Sequence, residues 1–586
     1  MDYSSATEFE DFNTILKGII SYLKEQGGKT TLDANQETII SEVVNYVDAQ
    51  ARLKRKLLQI GISLSAEKSI DNLLEMIVSE AMDFTNADGG TLYVMSQDEQ
   101  SLSFKIIRNR SLRVNKGGRG GEPLAFPPVP LYKADGTRNM QNVSAYVALT
   151  GETRNFPDVY AIEGFDFQGT KNYDKNNGYR SRSMLVTPLR NHEREIIGVL
   201  QLINAGDGSG NVVQFSPDYQ YLIESLASQA AIAVTNTTLI AELKELLDSF
   251  VKVIATTIDE KSPYTGGHIR RVAELTLDIA RELCNSEDTK WEDFALTPYE
   301  SEELKTAAWM HDVGKITTPE HVVDKSAKLE TIYDRVHTVI MRIEVLKRDI
   351  EIKHLRERAG FEAAHGGGAQ STLQSLDEEF TGHIRELDDD IEFLKTANIG
   401  GEFISDDKIE RINKIASYKI IANGTEQPIL TGEEVINLCI RRGTLTDKER
   451  KIIENHAAMT YKILSQLPWP KKMKNIPTYA GQHHEKLDGT GYPNRTPAEK
   501  LSLQSRIMAI ADIFEALSAA DRPYRPGKKL SECVKILGFM AKDKHVDKEL
   551  VDFLITSGIA VRYAKQEMKE YQLDNFVYEG KEYVVL

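Results

Sequence analysis

Five histidines and two aspartates scattered between positions 268 and 512 constrain this chain more than any other feature of its sequence. His268 sits in YTGGHIRRV, His311 and Asp312 in HDVGK, His456 in KIIENHAAMTYKIL, His483 and His484 in GQHHEKLDGTGYP, and Asp512 in IMAIADIFEAL. His268, the His311–Asp312 pair, His456 and Asp512 fall at or near the apolar faces of helical patterns, which normally point inward. One histidine in such a place is usually a hydrogen-bonded core residue. Several buried close together would repel when protonated unless divalent cations held the rings neutral. Imidazoles with a bridging carboxylate are what a pair of first-row metals needs.

At roughly 150 residues per domain, 586 residues imply three or four cores. Apolar residues at 41% and charged ones at 27% are ordinary globular usage. The longest apolar stretches, such as that around Ile232 to Leu239, break well before the roughly 18 residues of a membrane span, so no span is expected. The N-terminal MDYSSATEFE carries acid where a secretory signal carries base, which predicts a cytoplasmic protein. With 72 basic against 88 acidic residues, a net of -16 not gathered in a tail, the chain is not expected to bind a nucleic-acid polymer. An anionic small substrate needs a local basic cluster, and Arg522, Arg525, Lys528 and Lys529 form one. Cys284, Cys439 and Cys533 are far apart in sequence and read as packing residues.

Residues 1–50 hold two amphipathic helical patterns whose stripe a second copy of the chain or the next domain can cover. Residues 51–235 read as α+β. A helical face runs from Ile70 to Ala81, Gly89-Gly90 are expected to end that helix, and strands are expected at Thr91–Met95, Leu102–Ile107, Ser183–Leu189 and Glu195–Ala205. A single long helical pattern then runs from Pro217 to about Ile258, of which 236–258 is a connecting helix and a candidate lever.

The stretch from 146 to 205, with PDVY at 157–160, Phe165-Asp166, GYRSRS at 178–183 and the strand ending at Asn204, resembles GAF domains found beside cyclic-nucleotide phosphodiesterases. The resemblance implies either a pocket for an unknown small ligand or a dimerisation module. The strand-end Asn204 is followed by Ala205 rather than the Lys of the nucleotide-binding subset.

HDVGK, HHEKLDGTGYP and ADIFEALSAADRPYR resemble the HD-GYP family, a subgroup of the metal-dependent HD-domain phosphohydrolases, over residues 259–329 and 443–586. The expected protein is therefore multidomain, an α+β GAF domain followed by an all-α HD-domain phosphohydrolase. The resemblance implies two divalent metal ions, iron or manganese. His268, His311, Asp312 and Asp512 would hold one, and Asp312 would bridge to a second held by His456, His483 and His484. Two cations about 3.5–4 Å apart acidify a water between them enough to attack phosphorus near neutral pH. Lys315, one turn after His311, is expected to face the same cavity and neutralise charge on the phosphoryl oxygens. Tyr492 is expected to pack against a guanine, and Arg522 and Arg525 to meet the substrate phosphates. Family members with a third metal carry a Glu four residues before the first histidine, where this chain has Tyr264. Glu260 is a weaker candidate, and two metals are expected.

The implied substrate is cyclic di-GMP, opened to linear pGpG and further to GMP, with a mixed guanine–adenine cyclic dinucleotide as an alternative. Another reading is a catalytically silent receptor acting on a signalling partner, and a homodimer is expected.

Between Leu329 and Gly443 the chain departs from the family pattern, in which a K-x-G-x-L-T stretch precedes a histidine eleven residues after its Leu. Residues 325–329 begin such a stretch and 443–446 complete it, which selects His456 and not His337. Inside the 330–442 insertion, Ile332, Val336, Val339, Ile343, Leu346 and Ile350, and then Leu373, Leu376, Phe380, Ile384, Leu387, Ile391 and Leu394, repeat at alternating spacings of 3 and 4. An antiparallel helical hairpin is expected, free to dimerise, bind a partner or cover the cleft, with His354, His365 and His383 outside the ligand set.

Overall fold

The computed structural model describes residues 58–261, 266–365, 370–401, 403–520 and 527–585, with Ser41, Ala51 and Arg55. The helical patterns of 1–50, Tyr264, Arg522 and Arg525 lie outside the described residues. The chain divides into two compact units, 1–245 and 246–586.

The first unit is built on an eight-stranded antiparallel sheet. Its strands are β1 (Ala87–Met95), β2 (Ser101–Asn109), β3 (Val114–Gly117), β4 (Val129–Pro130), β5 (Arg154–Phe156), β6 (Met184–Arg190), β7 (Ile196–Gly206) and β8 (Val212–Val213). Six run in the order β3-β2-β1-β7-β6-β5, while β4 pairs with β2 and β8 with β7. Helices α1 (Ile70–Thr85), α2 (Val143–Thr150) and α3 (Gln168–Asn177) accompany it, and α4 (Pro217–Asp259) follows.

Side chains alternate across a strand, so Leu92, Leu185 and Leu200 join the core with α1 and the start of α4. Their neighbours Tyr93, Val186 and Val199 join the opposite core with α2, Phe156 and Phe167. Leu102 and Ile106 have the same parity yet fall in different cores. Between Leu92 and Tyr93 the β1–β2 register shifts, with Lys105 as the extra residue, and every later side chain changes face.

The first helix does not end where the sequence suggested. It stops at Asn86, in the left-handed region at φ 49, whose backbone N–H bonds Met82 O. Gly89 and Gly90 instead lie inside β1, where a Cβ would come within 2.8 Å of Ile203 and of Val78, so close packing rather than a turn explains them.

In the second unit, α5 (His268–Cys284) and α6 (Pro298–Met310) precede a 3-10 turn at Val313–Thr317. Residues 330–442, read from the sequence as an insertion, follow as α7 (Val336–His365), α8 (Gln370–Asn398), α9 (Asp406–Ala416), the two-stranded β9 (Lys419–Ala422) and β10 (Thr425–Pro428), and α10 (Gly432–Leu438). Then come α11 (Asp447–Leu464), α12 (Ile476–Gly481), α13 (Leu503–Ser518), α14 (Leu530–Lys542), α15 (Lys548–Thr556), α16 (Ile559–Glu567) and a hairpin of β11 (Phe576–Tyr578) and β12 (Lys581–Tyr583). One core joins α5, α6 and α12–α16.

Helices α7 and α8 are antiparallel: Lys347 pairs with Asp388, the His354 ring stacks on Phe380 at 4.5 Å, and Arg358 pairs with Asp377. The insertion is more than a hairpin, because Ile404, Ile412, Ile415, Ile420, Ile429 and Leu438 close a separate core over its base. Ile332 precedes α7 and is 93% exposed, so it does not belong to the apolar stripe. Cys284 is exposed at the end of α5, against its reading as a packing residue, while Cys533 is buried.

Candidate metal centre

Each of the seven residues is delivered by a helix or by the turn just beyond one. His268 is the first residue of α5. Helix α6 starts from a Thr297–Glu300 capping box and ends at His311, and Asp312 opens the 3-10 turn. His456 lies in the middle of α11, His483 and His484 directly follow the end of α12 at Gln482, and Asp512 lies on α13. The turn packs tightly on α11: Thr460 Oγ1 accepts from Gly314 N at 2.9 Å and donates to His311 O at 2.9 Å. A Cβ at Gly314 would lie 2.0 Å from His456 O, so only glycine fits.

Side-chain atoms of His268, His311 and Asp512 lie within 4.8 Å of one another, as do those of His456, His483 and His484. Asp312 stands between the two trios. Its Oδ2 is 3.3 Å from His311 Nε2 and 3.6 Å from His268 Nε2, and its Oδ1 is 3.3 Å from His456 Nε2 and 3.9 Å from His483 Nε2. Lys315 Nζ is 2.5 Å from Asp312 Oδ2. The expected helical turn after His311 is a 3-10 turn, whose three-residue repeat sets Lys315 over Asp312.

The rings are oriented from behind. Nδ1 of His311, His456 and His483 faces the carbonyls of Ala308 at 2.8 Å, Ile453 at 2.5 Å and Ala480 at 2.6 Å. A carbonyl only accepts, so each Nδ1 carries the hydrogen and in the neutral ring Nε2 turns a lone pair inward. His268 Nδ1 bonds Glu515, which also accepts from Arg271 Nε at 2.7 Å. Among the described residues His311 Nε2 and Asp312 Oδ1 are buried with no hydrogen-bond partner, and His456 Nε2 lies 3.4 Å from His483 Nε2. Lys315 reaches Asp312 Oδ2; the other inward-facing nitrogens and Oδ1 would be satisfied by cations, and the imidazole and carboxylate ligands suit divalent first-row metals.

Burial works against charge throughout the site, but charged neighbours decide several groups. Glu515, Asp312 and Asp512 overcome burial to raise His268, and Asp312 does the same for His311. Lys315, His311 and His268 hold Asp312 well below the usual carboxylate range, and His268, His484 and His311 lower Asp512. Burial, together with the surrounding rings, pushes His483 well down and His484 to about 3.

The Tyr492 ring lies 4.8 Å from that of His484, at the rim of the His456 trio. Glu485 fixes the loop that carries it, accepting from Asn494 N at 2.8 Å and Thr496 N at 2.9 Å. His337 and His383 are exposed, and the His365 ring stacks on Phe361. Glu260 is exposed; the acid buried next to the centre is Asp259, whose carboxyl is raised by burial against the pull of His268.

The sequence reading passed over Asp259, Glu485 and Glu515. Glu515 did leave a signal, since it follows Asp512 by three on the same apolar helix. In the first unit, Asn204 is bound internally: Nδ2 donates to Tyr179 OH and Arg180 O, both at 2.8 Å.

Family models describe residues 69–234 as a GAF domain and residues 265–372 and 429–550 as HD domains. The 3'3'-cGAMP-specific phosphodiesterase 3 of Vibrio cholerae is 43% identical over 95 residues, 16% of this chain and 20% of that protein. The cyclic di-GMP phosphodiesterase response regulator RpfG of Xanthomonas campestris is 30% identical over 119 residues, 20% of this chain and 31% of that protein. The chain thus spans less than a third of the length of these curated relatives. A solved GAF domain from an Acinetobacter phosphoenolpyruvate-protein phosphotransferase aligns over 33% of this chain and 98% of its own at 15% identity, with a TM-score of 0.24. No described helix is long and apolar enough to cross a membrane. The chain therefore carries a GAF domain followed by two HD-domain matches, the second of which holds the HHEKLDGTGYP string.

Proposed function

We propose that this protein is a metal-dependent phosphodiesterase that opens cyclic dinucleotides, cyclic di-GMP to linear pGpG or onward to GMP, under the control of its GAF domain. One observation carries the reading: Asp312 turns one carboxylate oxygen to each trio, and its Oδ1 is buried without a hydrogen-bond partner among the described residues. On this reading His268, His311, Asp312 and Asp512 hold one cation, and Asp312, His456, His483 and His484 the other. The cations, iron or manganese by the donor set, supply Lewis acidity and an acidified water. The chain's own residues do the rest. Asp312 holds the ammonium of Lys315 at the rim, from where it swings onto a phosphoryl oxygen as negative charge develops there. The Glu485 clamp presents Tyr492 as an apolar face for a base, and Arg522 and Arg525 supply charge for the phosphates.

The mixed substrate, 3'3'-cGAMP, is the second reading, favoured by the relative at 43% identity, whose name carries that specificity. The test is chromatographic analysis after anaerobic incubation of iron- or manganese-loaded protein with each dinucleotide. Linear dinucleotide or GMP should form and disappear with Asp312→Ala. Absence of product from both substrates, with metal bound, overturns the enzyme reading in favour of a receptor.

A further inference from the structure

We propose that Lys325 and Glu449, which lie on opposite sides of the insertion, are positioning residues for the His456 side of the metal centre. The inference rests on the two-metal reading above. The Lys325 side chain has 0% exposure, and its Nζ donates to both oxygens of Glu449, at 2.8 and 2.9 Å, and to Asn437 Oδ1 at 2.7 Å. A buried ammonium held this way tolerates little displacement, since losing one partner strands a charge.

Glu449 also closes the N-terminal cap of α11, accepting from Thr446 N and Oγ1, both at 2.8 Å, while Thr446 Oγ1 accepts from Glu449 N at 3.3 Å. From Glu449 the helix carries Ile453, His456 and Thr460 on one face, at spacings of 4, 3 and 4. Ile453 O orients the His456 ring and Thr460 grips the turn that bears His311 and Asp312. The cap of α11, the second-metal histidine and the bridging turn are thus in line along one rigid element.

The root of the insertion belongs to the same network. Lys328 Nζ donates to Leu438 O at 3.1 Å and Ile440 O at 2.6 Å, and Lys328 N to Asn398 O at 2.8 Å at the end of α8. Leu329 N donates to Asn398 Oδ1 at 2.8 Å, and Thr444 Oγ1 to Lys325 O at 2.9 Å. A long insertion at this point would be expected to leave the start of α11 loose, and this network replaces the short connection. His268, by contrast, takes its orientation from Glu515 on α13.

The test measures manganese affinity in the full chain, in backgrounds that keep one metal each. In Asp512→Ala the remaining metal sits on the His456 side, and Lys325→Met or Glu449→Gln should weaken it by about 10- to 100-fold. In His484→Ala the remaining metal sits on the His268 side, and the same changes should leave its affinity unchanged. In the otherwise wild-type chain, the spin-coupled signal of a manganese pair should be lost at metal concentrations that sustain it without the substitutions. Glu449→Gln keeps an N3 oxygen for the cap, and Lys325→Met/Glu449→Met removes both charges together, so a folded variant is available if Lys325→Met alone fails to fold. Equal weakening in both backgrounds, or none in either, overturns the proposal. A wild-type chain that binds no manganese or iron overturns the metal reading and this proposal with it.

Discussion

Asp312 shows how much of the chemistry resides in single residues. Its neighbours keep it ionised, its oxygens diverge, and His311, His456 and His483 turn Nδ1 to a backbone carbonyl so that Nε2 faces inward. The groups that turn them matter as much as the ligands. Glu515→Gln should preserve the fold and leave Arg271 in place but orient His268 poorly, with metal affinity on that side falling about 10- to 100-fold by equilibrium dialysis.

A second residue-scale prediction concerns Lys328, whose ammonium burial pushes down from 10.5 to about 8. Between these values the unfolded chain holds a proton that the folded chain has released, so stability rises with pH across that window. Relative to Lys328→Met, the wild-type chain should gain about 2–3 kcal/mol from pH 8 to 10.5 in denaturant titrations. At this scale the ligand candidates were legible because histidines on apolar helical faces need an explanation. Glu485 and Asp259 were not, because an acid that orients a neighbour has no spacing rule of its own, whereas Glu515 left the weaker signal of its place three residues after Asp512 on an apolar helix.

At the scale of elements, helices were the most legible and turns the least. The pattern from Pro217 to about Ile258 and the two arms at Val336–His365 and Gln370–Asn398 were legible because apolar residues recur at helical spacing. Gly89 and Gly90 were read as a stop because glycine usually interrupts, yet here they make room for Ile203 and Val78. The bulge between β1 and β2, and the small core over the base of the insertion, depend on pairings distant in sequence. The contact between the 3-10 turn and α11 is equally non-local. Gly314→Ala should destabilise the second unit by about 2–3 kcal/mol, seen as a lower thermal midpoint, because neither His456 O nor Thr460 N can retreat from the added methyl.

Across the whole molecule, the candidate centre is assembled from segments that only folding brings together, with residues 330–442 placed between Asp312 and His456. Removing metal should therefore be felt as lost stability: chelation should lower the thermal midpoint, and manganese or iron should restore it. On α4, Leu239, Leu243, Leu246, Phe250 and Val253 are all exposed, at spacings of 4, 3, 4 and 3. Such spacing suits a coiled-coil seam and is the ground for testing the homodimer expected from the sequence. Light scattering should give the mass of two chains for the wild-type protein and of one for Leu243→Glu/Phe250→Glu.

On the proposed reading, Asp312 joins two metal sites, one supplied by His268, His311 and Asp512 and the other by His456, His483 and His484. Anomalous diffraction from manganese-loaded crystals, recorded at the metal edge, tests it most directly. Two peaks flanking Asp312 are expected, one against His268, His311 and Asp512 and the other against His456, His483 and His484. A single peak, or peaks away from Asp312, would contradict it.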